Sequence, residues 1–315
     1  MILNQIKSKI KNFLTKINKK DNAQNNFMLG SIYFEQVSKN YNNLKELQDA
    51  EYKVFSQTGE DGIINYLFSK LNISNAKFVE IGVGDYSESN TRFIYENSFS
   101  KGLIVDIEKD FKKKVSQNIN LWKGLLEIEN TEITSENINS VLDKYNLNKN
   151  LDLFSLDIDG VDYWVLKNMN KRISKLFVVE YNPTFGHNLE ITVPNVKNFN
   201  RFKSHYSGCY YGASLKAIIK MMDSKGYEFI GTNKLNFNAF FVVDKLAHEF
   251  VKLKENLKTL EDYTSIKIRD SKNEKSELNF LSKEERLKNI KELYIIDVSQ
   301  NQNKKYKIEE VISKI

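Results

Sequence analysis

Apolar and polar positions along this chain alternate between two periods, and the switches between them mark its elements. From residue 77 onward, short apolar runs recur at Phe78 to Ile81, Gly102 to Asp106, Leu125 to Ile128, Leu153 to Asp157 and Leu176 to Glu180. Between them lie segments with apolar residues three and four apart, the period of a helix. Strands that alternate with helices make a parallel sheet with right-handed crossovers. Two more runs, 227–232 and 237–243, are separated by a short polar turn and predict an antiparallel hairpin. The expected fold is α/β, a doubly wound, mostly parallel seven-stranded sheet.

The flanks read differently. Ile63, Ile64, Leu67, Phe68 and Leu71 make one buried helix face ahead of the sheet. Residues 31–50 predict a further helix through Tyr33, Val37, Tyr41, Leu44 and Leu47, and Asp21 to Asn26 reads as a polar linker. In residues 1–20, Leu3, Ile6, Ile10, Phe13, Leu14 and Ile17 fall at helical spacing, while the other face carries lysines and no acid. That pattern suits a helix packed on its own domain or on a second subunit of a homo-oligomer. It equally suits a basic amphipathic helix lying peripherally on the anionic inner face of a membrane. Beyond Asp244 the chain is rich in lysine and glutamate, with a helix suggested at Leu253, Leu257 and Leu260 and an edge strand at 293–297. The expected organisation is a helical extension over 1–54, a Rossmann-like domain over 55–245 and a helical extension over 246–315.

Composition narrows the class. A net charge of +6 over 315 residues, mostly from lysine, implies a solvated surface and no nucleic-acid partner. The single cysteine, Cys209, excludes an internal disulfide and a cysteine metal cluster, and points to the cytoplasm. No stretch approaches the roughly 20 apolar residues of a spanning helix, and the first residues are too polar for a secretory signal. Only two prolines occur, Pro183 and Pro194, and both fall in one long segment.

The candidate chemistry gathers where strands end. The first strand closes on Glu80 and runs into Gly82 and Gly84, whose missing side chains permit a sharp turn and close approach of a ligand. An ordinary tight turn would read the same way. Asp106 closes the second strand, some twenty residues on, where an acid either accepts hydrogen bonds from ribose hydroxyls or caps the next helix. The fourth strand ends in Asp157, with Asp159 and Asp162 just beyond, and the fifth in Glu180 and Asn182. Carboxylates at buried strand ends need partners, such as a ligand, a proton in transfer or a divalent cation. Asp162 alternatively caps the following helix. Gln57, Glu60 and Asp61 face a ligand or cap the helix they precede. The long segment 183–212 reads as a lid or binding loop and carries His187, His205, Arg201 and three tyrosines. Either histidine is a candidate general base or a surface residue.

The segments QTGEDGIINYLF, FVEIGVGDYSESNTRF, LDLFSLDIDGVDYWVLK, VVEYNPTFG, YYGASL and NAFFVV, in this order, resemble the FkbM-type grouping of class I S-adenosylmethionine-dependent methyltransferases over about residues 55–243. The resemblance implies S-adenosylmethionine as cofactor. Glu80, Gly82 and Gly84 would hold its methionine part, Asp106 its ribose, Asn130, with Glu129 and Thr131, its adenine, and Asp157 would stand near the methyl group. It further implies O-methylation of a sugar or another small hydroxylated metabolite in polysaccharide or natural-product biosynthesis. Mg²⁺ would be held by Asp157, Asp159, Glu180 and Asn182, and Asp157, His205 or His187 would take the proton. Tyr86 departs from the pattern by standing where a third glycine is usual. A displaced or absent cofactor would leave a catalytically inert binding module at the membrane surface. A phosphotransferase using the Asp157-x-Asp159 pair is a further alternative, although Val161 replaces the threonine that such enzymes carry.

Overall fold

The computed structural model describes residues 22–300 and 302–315, so the basic segment 1–20 lies outside the described residues. A helix, α1, spans 22–38. Its Ala23, Phe27, Phe34 and Val37 pack against Tyr52, Val54, Phe55 and Phe93. Residues 22–26 are therefore helical and not a linker, because Ala23 supplies one of these apolar contacts. The helix stops before the expected boundary. Tyr41, Leu44 and Leu47 are buried instead from tight turns, at Tyr41–Asn43 and Leu47–Ala50.

The central elements follow in order: α2 Glu60–Lys70, β1 Lys77–Ile81, α3 Arg92–Asn97, β2 Lys101–Asp106, α4 Phe111–Asn118, β3 Leu125–Asn130, α5 Ile138–Lys144, β4 Leu151–Leu156, α6 Asp162–Asn168 and β5 Ser174–Glu180. After the long segment, with β6 Ile191–Thr192 and α7 Arg201–Ser204, come α8 Leu215–Ser224, β7 Tyr227–Thr232 and β8 Asn238–Val243. The main sheet has seven strands in the order β3-β2-β1-β4-β5-β8-β7. The pairs from β3 to β5 are parallel, and β8 runs antiparallel to both β5 and β7. This is the expected doubly wound, mostly parallel seven-stranded α/β sheet. The inner strands β1, β2, β4, β5 and β8 are buried on both faces, as strands under two helical layers must be, while the edge strand β3 leaves Leu125, Glu127 and Asn130 exposed. Val79, Ile81, Leu103 and Val105 face one layer, and Phe78, Ile104 and Leu153 the other.

The C-terminal part contains helices α9 Val251–Glu255, α10 Lys283–Asn289 and α11 Ile308–Val311, and strands as well. β9 Ser271–Lys272 pairs with β10 Leu278–Asn279. β11 Tyr294–Asp297 forms at the expected position, but it sits between β6 and β12 Lys304–Lys307 in a separate three-stranded sheet. Much of segment 183–212 is thus tied down. β6 pairs with β11, and Ile191 and Val193 share a cluster with Leu287, Ile295 and Ile308. Among the described residues no helix is long and apolar enough to cross a membrane.

Candidate active site

The carboxyl ends of β1, β2, β4 and β5 meet where the strand order reverses, the place at which open α/β sheets leave a crevice. A cleft of about 420 Å³ lies there. A second lobe of about 320 Å³ adjoins it, since Gln57, Gly82, Gly84 and Asp157 line both.

The glycine turn forms the floor. Gly82 has φ +86°, and its amide donates to Val105 O at 2.9 Å. A Cβ on it would overlap the carbonyl oxygen of Asp157. Gly84 has φ +55°, and a Cβ there would meet nothing within 4 Å. Its amide donates to Asp106 Oδ2 at 2.7 Å, and the other Asp106 oxygen accepts from Glu108 N at 2.7 Å. Asp106 thus lines the cleft while organising two turns at once, which joins the two roles expected for it. Burial lifts its carboxyl above the usual range, against the pull of those amides.

Tyr86 adopts φ +60°, the left-handed conformation a third glycine would supply. Its ring is buried in the core, and its hydroxyl hydrogen-bonds Thr91 Oγ1 at 2.8 Å. It lines neither lobe, so the departure from the glycine pattern leaves the cleft open.

Three expected cofactor or ligand residues are held by contacts within the fold, although Glu80 also lines the second lobe. Glu80 accepts from Asn90 N, Thr91 N and Thr91 Oγ1, and so caps the start of α3 with both carboxylate oxygens. Burial raises its carboxyl to about 7. Asn130 does not line the cleft and braces the β2–α4 turn, donating to Asp106 O at 2.7 Å and Glu108 O at 3.2 Å. Thr131, Glu132 and Ile133, one to three residues further on, line the cleft in its place. Asn182 is fully buried. Its amide donates to Cys209 O and Tyr211 O at 2.9 Å, its oxygen accepts from Thr184 N, and it does not line the cleft.

The histidines are likewise elsewhere. His187 and His205 do not line the cleft. His205 Nδ1 pairs with Ser207 Oγ at 2.8 Å, its ring lies against Tyr206, and burial lowers its pKa. Any general base among the described cleft residues would be a carboxylate or the Tyr211 hydroxyl.

The acids do converge. Oxygens of Asp157, Asp159 and Glu180 lie within 4.8 Å of one another, close enough to share one cation. Burial first, then the charges of Asp159 and Asp162, holds the Asp157 carboxyl well above its usual range. Burial first, then Asp157, Asp159 and Asp162, does the same to Glu180. Among the described residues Glu180 Oε2 has no hydrogen-bond partner. Like charges this close disfavour ionising together, which the nearby Arg201 guanidinium partly offsets. Asp162 stays outside this group. It accepts from Ile158 N at 2.9 Å and Gly160 N at 3.0 Å, and so staples the turn that carries Asp157 and Asp159.

Arg201 closes the acidic end. It pairs with Asp159, donates from Nε to Gly208 O at 2.8 Å and stacks its guanidinium 3.9 Å above the Tyr211 ring. Asp270 from the C-terminal part stands between Arg201, at 3.5 Å, and the buried Arg286, at 2.7 Å. Asp270 and Ile268 line the cleft, although sequence reading put that stretch outside the site. A signal for Arg201 did exist. Only five of the 47 basic residues are arginine, and arginine is the choice where planar, multidentate contacts matter. Asp270 has no such mark in a stretch rich in charge.

No family model and no curated protein matches this sequence. Solved structures do. The pyocyanin biosynthetic protein PhzM aligns at 12% identity over 57% of this chain and 53% of its own, with a TM-score of 0.34. This chain thus spans about half of that protein's length. An S-adenosylmethionine-dependent methyltransferase from Clostridium acetobutylicum ATCC 824 aligns at 12% identity over 58% of this chain and 90% of its own, with a TM-score of 0.38. Similarity this distant does not extend to the chemistry of a site.

Proposed function

We propose that this protein transfers a methyl group from S-adenosylmethionine to a hydroxyl of a small acceptor, a sugar or similar metabolite. The observation that carries the reading is the cradle at Gly84. Its amide is bound by Asp106, and the space a side chain would fill is left free. Asp106 would hold the ribose hydroxyls through the lone pairs that its two amide contacts leave over. Thr131 to Ile133 would flank the base, and Gly82, Gly84 and Gln57 the methionine part.

The bound sulfonium supplies an activated methyl group. The chain then has to align the acceptor hydroxyl and receive its proton. Alignment alone contributes on the order of 7–11 kcal/mol. Asp157, at the junction of the two lobes, is the residue we assign to the proton. Asp159 and Glu180 complete a set of oxygen ligands that suits Mg²⁺, which would lower the charge of the cluster and orient the hydroxyl. The sugar assignment is supported by the acceptor end itself, where carboxylates can accept from hydroxyls and the side chains of Phe199, Tyr211 and Phe237 also line the cleft.

Calorimetric titration of the full chain with S-adenosylmethionine, with and without Mg²⁺, tests the reading. Saturable heat is expected, and Asp106→Ala is expected to weaken binding more than about tenfold. Absence of heat in both titrations would refute the proposal and leave a fold used for binding alone.

A further inference from the structure

The second lobe contains a feature that the reading above does not use. Asn238, the first residue of β8, is 3% exposed and lines that lobe. Its backbone amide donates to Asn233 Oδ1, and it stands in register with Glu180 of β5. The side-chain amide donates from Nδ2 to Glu60 Oε1 at 3.0 Å. Glu60 Oε1 also accepts from Thr58 Oγ1 and Asn233 Nδ2, while Oε2 accepts from Thr58 N and Gly59 N. A carboxylate surrounded by donors can only accept, so the Asn238 nitrogen must face it and the orientation of the amide is determined. The other end, Oδ1, is buried without a hydrogen-bond partner among the described residues.

A buried carbonyl left unsatisfied is costly, and such groups in a folded protein call for an explanation. This one awaits a donor. The walls of the lobe specify what kind. Glu80, Asp85, Glu88 and Asp157 line it, and among the described residues no basic side chain does, although Lys53 reaches Glu88 from outside the lobe at 2.9 Å. An acceptor set among carboxylates selects a cationic donor, a primary ammonium. The adjoining cleft, where Asp106 faces Gly84, puts the nucleoside end of a ligand on the other side of Gly82 and Gly84.

We infer that Asn238 Oδ1 receives the α-ammonium group of the methionine part of the cofactor, with Glu60 acting as a positioning residue that fixes the amide. The inference rests on the reading above and adds a contact to it. It makes affinity depend on the amino-acid part of the ligand separately from the nucleoside.

The test compares S-adenosylmethionine with 5′-methylthioadenosine, which lacks the amino-acid part, by calorimetry on the full chain and on Asn238→Ala. The variant is expected to bind S-adenosylmethionine at least about tenfold more weakly and methylthioadenosine within about twofold of wild type. Methylthioadenosine binding also reports that the variant is folded. Equal affinity of both proteins for S-adenosylmethionine, or equal loss for both ligands, would overturn the inference while leaving the methyltransferase reading intact. Wild-type protein that binds neither ligand would bring down the reading itself, and the inference with it.

Discussion

The carbonyl oxygen of Asp157 occupies the space in which a side chain at Gly82 would begin. The turn after β1 and the acid after β4 are thus pressed together, backbone to backbone, at the junction of the two lobes. Gly84, two residues on, has the opposite surroundings, with open space where its side chain would be. Two alanine substitutions should therefore separate fold from ligand. Gly82→Ala combines a left-handed backbone with an overlap against main chain, and should cost about 2–4 kcal/mol of stability. Gly84→Ala should cost only about 1–2 kcal/mol, from the backbone alone, while its methyl group intrudes on the ligand. Urea denaturation paired with cofactor titration checks both. Equal loss of stability in the two variants would contradict the close packing at Gly82.

Tyr86 should matter to the fold and not to the cofactor. Tyr86→Phe removes its hydrogen bond to Thr91, a residue that also holds Glu80. A loss of about 1 kcal/mol is expected, with cofactor affinity unchanged. Weaker cofactor binding in this variant would mean that the tyrosine reaches the ligand after all.

Arg201 and a metal ion would compete for Asp159. Arg201→Gln removes the resident cation and should tighten Mn²⁺ binding, measured by electron paramagnetic resonance, by roughly two- to fivefold, since Asp159 is largely exposed. Equal affinity in wild type and variant would exclude Asp159 as a ligand.

Stability should increase on mild acidification. Burial raises Glu80 to about 7 and both Asp61 and Asp162 to about 6, against ordinary values of 4.5 for Glu80 and 3.8 for the aspartates. Between the ordinary and raised values the folded chain binds more protons than the unfolded chain. Each group's contribution is thus complete below its ordinary value and is lost as pH climbs through the raised one, at about 1.4 kcal/mol per pH unit between the two. The urea midpoint should accordingly rise from pH ~8 to pH ~5. A midpoint that falls steadily over that range would mean that these carboxyls are ionised in the folded protein.

The alternation of apolar runs and helical spacing was enough to place all seven strands of the main sheet and the antiparallel hairpin, because the inner strands are buried on both faces and read as apolar runs, while the edge strand β3 keeps only a shorter one. The acids at the strand ends were visible for the complementary reason: a charge that closes such a run stands out. Their assignments were harder to read. Glu80 and Asp106 have the same pattern, an acid at the end of a parallel strand, yet Glu80 turns onto the amides at the start of α3 while Asp106 stays on the cleft. Asn182 and Asn130 bond to backbone carbonyls that only the folded chain brings near.

What the sequence determined by itself is periodic and local: strand and helix positions, the glycine turn, and acids at the ends of buried strands. These follow from the burial pattern and backbone sterics of neighbouring residues. Which acids meet, that Arg201 and Asp270 close the cleft from opposite parts of the chain, and that His187 and His205 stay outside it, were decided by tertiary structure alone. Partners such as Asp159 and Arg201, or Asn238 and Glu60, lie too far apart along the chain for any local pattern to join them, and only the crossing of strands and loops brings their charges within reach.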